Sequence, residues 1–195
     1  MIAAFVLLFL TVAWRVGFGV SHSNDFGWLH NFAPLSAIAL CGAIFLPRRL
    51  AFAIPLGALL ISDLILNAHY GEPLLSTEML ARYVALGAIC AGGLALRRRP
   101  STLLILGGSI AASTLFYVVT NTASWISEPR YAKTIAGWVQ ALTVGLPGYP
   151  PTIFFYRNTF LSDLIFTALF LGCVALSRHR QGIVVTSPRQ PAPWT

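Results

Sequence analysis

Apolar residues run along the chain in six long stretches, about residues 2–20, 32–45, 50–67, 79–96, 102–120 and 159–176. A bilayer core about 30 Å thick takes about 20 mainly apolar residues in helical form. The pattern therefore predicts an all-α membrane protein, a bundle of six transmembrane helices. Pro47-Arg48-Arg49 ends the second stretch, and Arg97-Arg98-Arg99-Pro100 ends the fourth. The second stretch is short, so its outer end is expected to continue as partly buried loop. Residues 1–177 are read as the transmembrane domain, and the polar, proline-bearing residues 178–195 as a disordered cytoplasmic tail. Residues 1–23 also have the apolar centre and small residues of a signal peptide. The start has no Lys or Arg, however, and Trp14-Arg15 interrupts the cleavage region, which favours a retained helix.

Charge orients the helices. With both termini in the cytoplasm, Arg48, Arg49, Arg97, Arg98, Arg99, Arg178, Arg180 and Arg189 lie inside, eight of the 13 Lys and Arg. Excess Lys and Arg mark the cytoplasmic side. The expected location is a bacterial inner membrane, crossed several times. All six carboxylates then fall on the outer loops or outer helix ends.

Composition narrows the class further. Hydrophobic residues are 56% of the chain and charged residues 10%, against about 25% charged in ordinary soluble domains. That excludes a soluble enzyme, a disordered regulator and a secreted disulfide scaffold. The net charge of +7 is spread in small clusters between apolar runs, not gathered on a face, so no nucleic-acid partner is expected. Cys41, Cys90 and Cys173 lie far apart inside apolar runs and read as small buried hydrophobes. No phosphate-binding loop, HExxH, GxSxG or CxxC is present. The chain is accordingly read as no enzyme, with no cofactor and no ATPase of its own.

The outer connections are the longer ones, which places the working face outside. The first, around residues 21–31, carries His22, Asn24, Asp25, Trp28, His30 and Asn31. The third helix carries Ser62-Asp63-Leu64-Ile65, and the sixth carries the same tetrapeptide as Ser162-Asp163-Leu164-Ile165. A carboxylate in a spanning segment is costly and must face the bundle interior or water, with a partner. Arg157, at the mouth of the sixth helix beside Asn158, is the natural partner for either acid. Ser109, Ser113, Tyr117 and Asn121 form an i,i+4 polar stripe on the fifth helix, which should turn inward. Glu78 and Arg82 form an i,i+4 pair read as structural. Residues 131–144 read as an interfacial helix, broken by the run from Gly145 to Pro151.

Three segments carry a resemblance: Asn31-Phe32-Ala33-Pro34-Leu35-Ser36-Ala37-Ile38-Ala39-Leu40, Ser62-Asp63-Leu64-Ile65-Leu66, and Tyr131-Ala132-Lys133-Thr134-Ile135-Ala136-Gly137 followed by the stretch from Phe155 to Asp163. Together they resemble an uncharacterised family of small six-helix bacterial membrane proteins, over most of residues 30–175. The architecture is also similar to the substrate-binding S components of energy-coupling-factor vitamin transporters. That second resemblance implies a pocket beneath external loops, with three partners: membrane lipid, a small-molecule solute and a transporter energising module. The expected function is uptake of a small polar or vitamin-like solute from outside. Asp63, Asp163, Arg157 and Asn158 would orient it, while Asn31, Asn121, Trp125 and Tyr131 would line the site. The alternative is a non-transporting structural or assembly subunit of a membrane complex, in which the same acids are packing ion pairs.

Overall fold

The computed structural model describes residues 2–20, 34–71, 73 and 75–185; of residues 2–8, 18 and 178–185 only the backbone is described. The described residues form seven helices and no strand. These are α1 (Ile2–Val20), α2 (Leu35–Phe45), α3 (Arg48–Tyr70), α4 (Thr77–Leu96), α5 (Thr102–Ser127), α6 (Ile135–Leu142) and α7 (Thr152–Val185). Each apolar stretch holds a helix, the second from Leu35 on, and α6 falls inside the segment expected to hold an interfacial helix. Ser76 and Ser101 cap α4 and α5 by accepting from Met79 N (3.1 Å) and Leu104 N (3.2 Å). Gly71, at φ 69°, closes α3 in the left-handed conformation that favours glycine.

Three boundaries differ usefully from the sequence reading. α5 runs to Ser127 and α7 begins at Thr152, so both extend past the apolar run at the loop-rich end. At its other end α7 continues through the polar residues 177–185. The segment expected to be a disordered tail thus begins as helix, because an existing helix gains one hydrogen bond for each further residue it fixes. Residues 186–195 lie outside the described residues.

The long helices and α2 alternate in direction along the chain. Arg15 of α1 meets Leu59 and Ser62 of α3, and Tyr70 donates to Gly19 O. Later residues pair with later residues, so α1 and α3 are parallel. α2 turns back into α3 through Leu46 and Pro47 alone, and α4, α5 and α7 pack antiparallel in sequence. One end of the bundle therefore carries Arg48, Arg49 and Arg97 to Arg99. The other carries the α3–α4 turn and the α5–α6–α7 connection.

Burial is inverted relative to a water-soluble protein. The buried face of α7 holds Asn158, Ser162, Asp163 and Thr167, while Leu161, Ile165 and Leu169 are exposed. α3 repeats this, with Ser62 and Asp63 inside and Leu60, Ile61, Leu64 and Ile65 outside. Soluble folds hide apolar side chains from water. An apolar exterior around a polar interior fits a hydrocarbon solvent instead. Four helices, α3, α4, α5 and α7 (as far as Ser177), are long and apolar enough to cross a membrane.

α2 is the hub. It touches α3, α4, α5 and α7, and nine of its 11 residues are buried. The core around it includes Ala39, Leu40, Ala43 and Ile44 with Leu59, Leu86, Ile89 and Ile105. Gly93 of α4 makes the tightest approach: a Cβ there would lie 2.7 Å from Ala43 Cβ and 2.9 Å from Leu40 O. The small residues Ala39 and Ala43 are thus used inside the bundle. At 1.5 Å per residue α2 spans roughly 16 Å, about half a bilayer core. Its N-terminus consequently stops inside the bundle.

Candidate functional site

Asp63 lies on the inner face of α3, 1% exposed. Burying a lone carboxylate is costly, and here two cations compensate it. Arg15 Nη1 of α1 is 2.6 Å from Asp63 Oδ1, and Arg82 Nη2 of α4 is 3.4 Å from Oδ2. Arg15 also donates to the hydroxyl of Ser62, which itself donates to Ala58 O at 2.7 Å. One carboxylate thus ties three helices through two guanidinium groups, leaving the triad one positive charge in excess. Truncating the acid would strand two partly buried cations, at a cost of about 1–3 kcal/mol.

Asp163 does something different. Its Oδ1 accepts from Ala37 N in the first turn of α2 at 2.9 Å, and its Oδ2 accepts from Ser113 Oγ at 2.7 Å. The residue before α2 is Pro34, which offers no side-chain cap. A helix start carries N–H groups with no intrahelical acceptor and a partial positive charge. Asp163 supplies from α7 the cap that α2 lacks locally. The opposite end is completed in kind, with Arg97 Nη1 donating to Leu46 O at 2.8 Å. The polar stripe of α5 faces inward as expected: Ser113 binds Asp163, and Ser109 Oγ pairs with Thr167 Oγ1 at 3.0 Å.

Above these acids, in the loop-rich half, is a cavity of about 300 Å³. It is lined by Arg15, by Leu35 and Ser36 at the start of α2, and by Glu78 and Arg82 of α4. Phe116, Tyr117, Thr120, Asn121 and Ser124 of α5 and Phe155 and Thr159 of α7 complete it. Glu78 accepts from Ser127 Oγ, so Glu78 and Arg82, expected to pair with each other, turn to separate partners. Asn121 is held in place by donating to Tyr117 O at 2.9 Å.

Of the residues expected to form the site, Asn121 lines this cavity. Asp63 lies behind it, joined to the lining arginines, and Asp163 caps α2; neither acid is among the lining residues. Arg157 is exposed, stacks over Phe154 at 5.1 Å and donates to Asn158 Oδ1 at 3.2 Å; it is not the partner of either acid. Asn158 itself is buried. Trp125 Nε1 donates to Ala132 O at 2.8 Å, and Tyr131 is buried under the α5–α6 connection, where burial pushes its hydroxyl pKa up. The Trp125 bond holds the approach to α6 in place. Asn31 lies outside the described residues, as do His22 and His30. Among the described residues no cluster of His, Cys, Asp or Glu could hold a metal ion. Cys41 and Cys90 are buried as expected, whereas Cys173 is exposed on the apolar outer face.

Sequence reasoning missed Arg15, Arg82 and Ser36. The signal for the arginines was present. A buried acid demands a cation, and Arg15 and Arg82 are the two arginines set inside apolar runs at matching depth. Ser36 gave no signal, because its role depends on where α2 begins.

An all-helical chain with four helices able to cross a membrane, an apolar exterior and an ionic interior is a multi-pass membrane protein. It belongs to DUF6580, a family of unknown function, whose profile matches residues 1–187. No curated protein and no solved structure matches it.

Proposed function

We propose that the chain is a solute-binding protein of the bacterial inner membrane that receives a small polar or vitamin-like solute from the external side and aids its uptake. Six spans with both termini cytoplasmic would put the cavity under the external loops, as in S components of vitamin transporters. The observation that carries the reading is the 300 Å³ cavity, where polar groups from five helices converge beside three aromatic rings. Ligand sites typically enclose about 300–1,000 Å³, with a few polar groups fixed in an apolar lining. The purified full-length chain, screened by thermal shift against vitamins and small metabolites, should show at least one saturable ligand. Asn121→Ala should weaken it several-fold with the fold intact. A broad panel with no ligand would count against uptake.

A non-transporting structural or assembly subunit is the second reading. It draws on Asp63 and Asp163, both fully engaged in packing. Purification from native membranes with a stoichiometric partner, together with cavity variants of unchanged phenotype, would favour it. An energising module of a transporter would instead be the partner under the first reading.

A further inference from the structure

Three features converge on one wall of the cavity. The first is charge: Arg15 and Arg82 line it, and Asp63 behind them balances a single guanidinium. Glu78, also lining, is drawn to Ser127 one helical turn nearer the start of α4. The second is the first turn of α2, whose Leu35 and Ser36 border the space. Asp163 takes the N–H of Ala37, so the first turn of α2 borders the space already capped on one side. The third is an unmet hydrogen-bonding need. Ser36 is 1% exposed and its Oγ leans toward the Asp163 carboxylate without forming a well-aligned hydrogen bond, while Arg82 Nε is buried with no partner at all. Buried polar atoms without partners are rare in native folds and call for an explanation.

We propose, resting on the solute-site reading above, that the solute carries an anionic oxygen group, a carboxylate or phosphate, which docks between Arg15, Arg82 and Ser36 at the start of α2. Such a group pairs with the guanidinium groups of Arg15 and Arg82, which line the wall together. It accepts from the Ser36 hydroxyl and Arg82 Nε. Phe116 and Phe155 then face the uncharged remainder of the molecule.

Thermal-shift titration of the full-length protein in detergent tests this with matched probes: benzoate beside benzamide, succinate beside succinamide, and glycerol 3-phosphate beside glycerol. At least one anion should half-saturate at a concentration ten-fold or more below its neutral partner, and Arg82→Gln should raise that concentration at least ten-fold. Ser36→Ala should leave the stability of the empty protein nearly unchanged while weakening the anion several-fold. Loss of stability in Ser36→Ala with unchanged affinity would overturn the proposal, as would anion binding indifferent to Arg82→Gln. Neutral partners that bind as well as the anions would overturn the anion assignment and leave the solute site standing. No saturable response to any of the six would overturn both. Repetition in nanodiscs of phosphatidylcholine, with and without phosphatidylglycerol, separates a solute from a lipid headgroup. Stabilisation by phosphatidylglycerol to which the soluble anions add nothing would overturn the solute reading and retain the anion assignment.

Discussion

Asp163 reaches two elements at once, accepting from the backbone of α2 and the hydroxyl of Ser113 on α5. Asp163→Ala removes the only side-chain cap seen at the start of α2 among the described residues. Loss of an N-cap costs about 0.5–2 kcal/mol, and loss of a buried hydrogen bond to a charged group about 1.5–3. A total of about 2–5 kcal/mol is expected, read as a lower thermal midpoint. Asp163→Asn keeps an acceptor for Ala37 N and should lose roughly half as much. Glu128 presents the opposite case, an exposed acid outside the spans. Its bond to Arg130 at 2.9 Å holds its carboxyl pKa down at about 2 and raises that of the guanidinium. The folded value lies below that of a free glutamate, so the contact favours the fold at every pH above the ordinary carboxylate range. It fades only as pH falls toward 2. Arg130→Ala should return Glu128 to the ordinary range in an NMR titration. The thermal midpoint at neutral pH should barely move, because exposed pairs contribute little.

At the scale of elements, α6 depends on one glycine. A Cβ on Gly137 would lie 2.0 Å from Ala132 O, a backbone atom that cannot step aside. Thr134 caps the helix through Gly137 N, Tyr117 donates to Leu142 O, and Trp138 Nε1 donates to Thr122 Oγ1 at 2.9 Å. Gly137→Ala should therefore undock α6, seen as faster proteolysis of residues 128–135 and red-shifted tryptophan emission, while the long helices persist. The existence of this helix was legible in the sequence, as was every long one. Hydropathy reports what a segment must be buried in, and a bilayer permits few shapes. The ends were less legible. α5 and α7 run past their apolar stretches because polar side chains at a membrane boundary tolerate helix as well as loop. The inward stripe of Ser109, Ser113 and Tyr117 was readable from i,i+4 spacing alone. The partners of Asp63 and Asp163 were not, since pairing across helices depends on relative depth and rotation, which one-dimensional spacing does not encode. Arg157 is nearer to Asp163 in sequence, but it projects outward from the other face of α7.

For the whole molecule, the placement of arginines at one end and long connections at the other yields a topology test. Leu75, in the α3–α4 turn, is 90% exposed, and Pro100, in the α4–α5 turn, is also exposed at the opposite end. With six spans and cytoplasmic termini, Leu75→Cys should react with an impermeant maleimide on intact cells. Pro100→Cys should react only after the membrane is opened, with the native chain as background. Labelling in the reverse pattern would invert the orientation and turn the cavity toward the cytoplasm.

The capping of α2 also bears on how the chain is made. Ala37 and Asp163 are 126 positions apart, so the ribosome has released α2 long before α7 exists. Until then the central half-length helix enters lipid with an unanswered amide end. The heart of the protein can be completed only when the last helix arrives, which makes biogenesis of this fold a locking event and not a steady accumulation. A nascent chain stopped before residue 163 would hold every other helix and still lack its keystone.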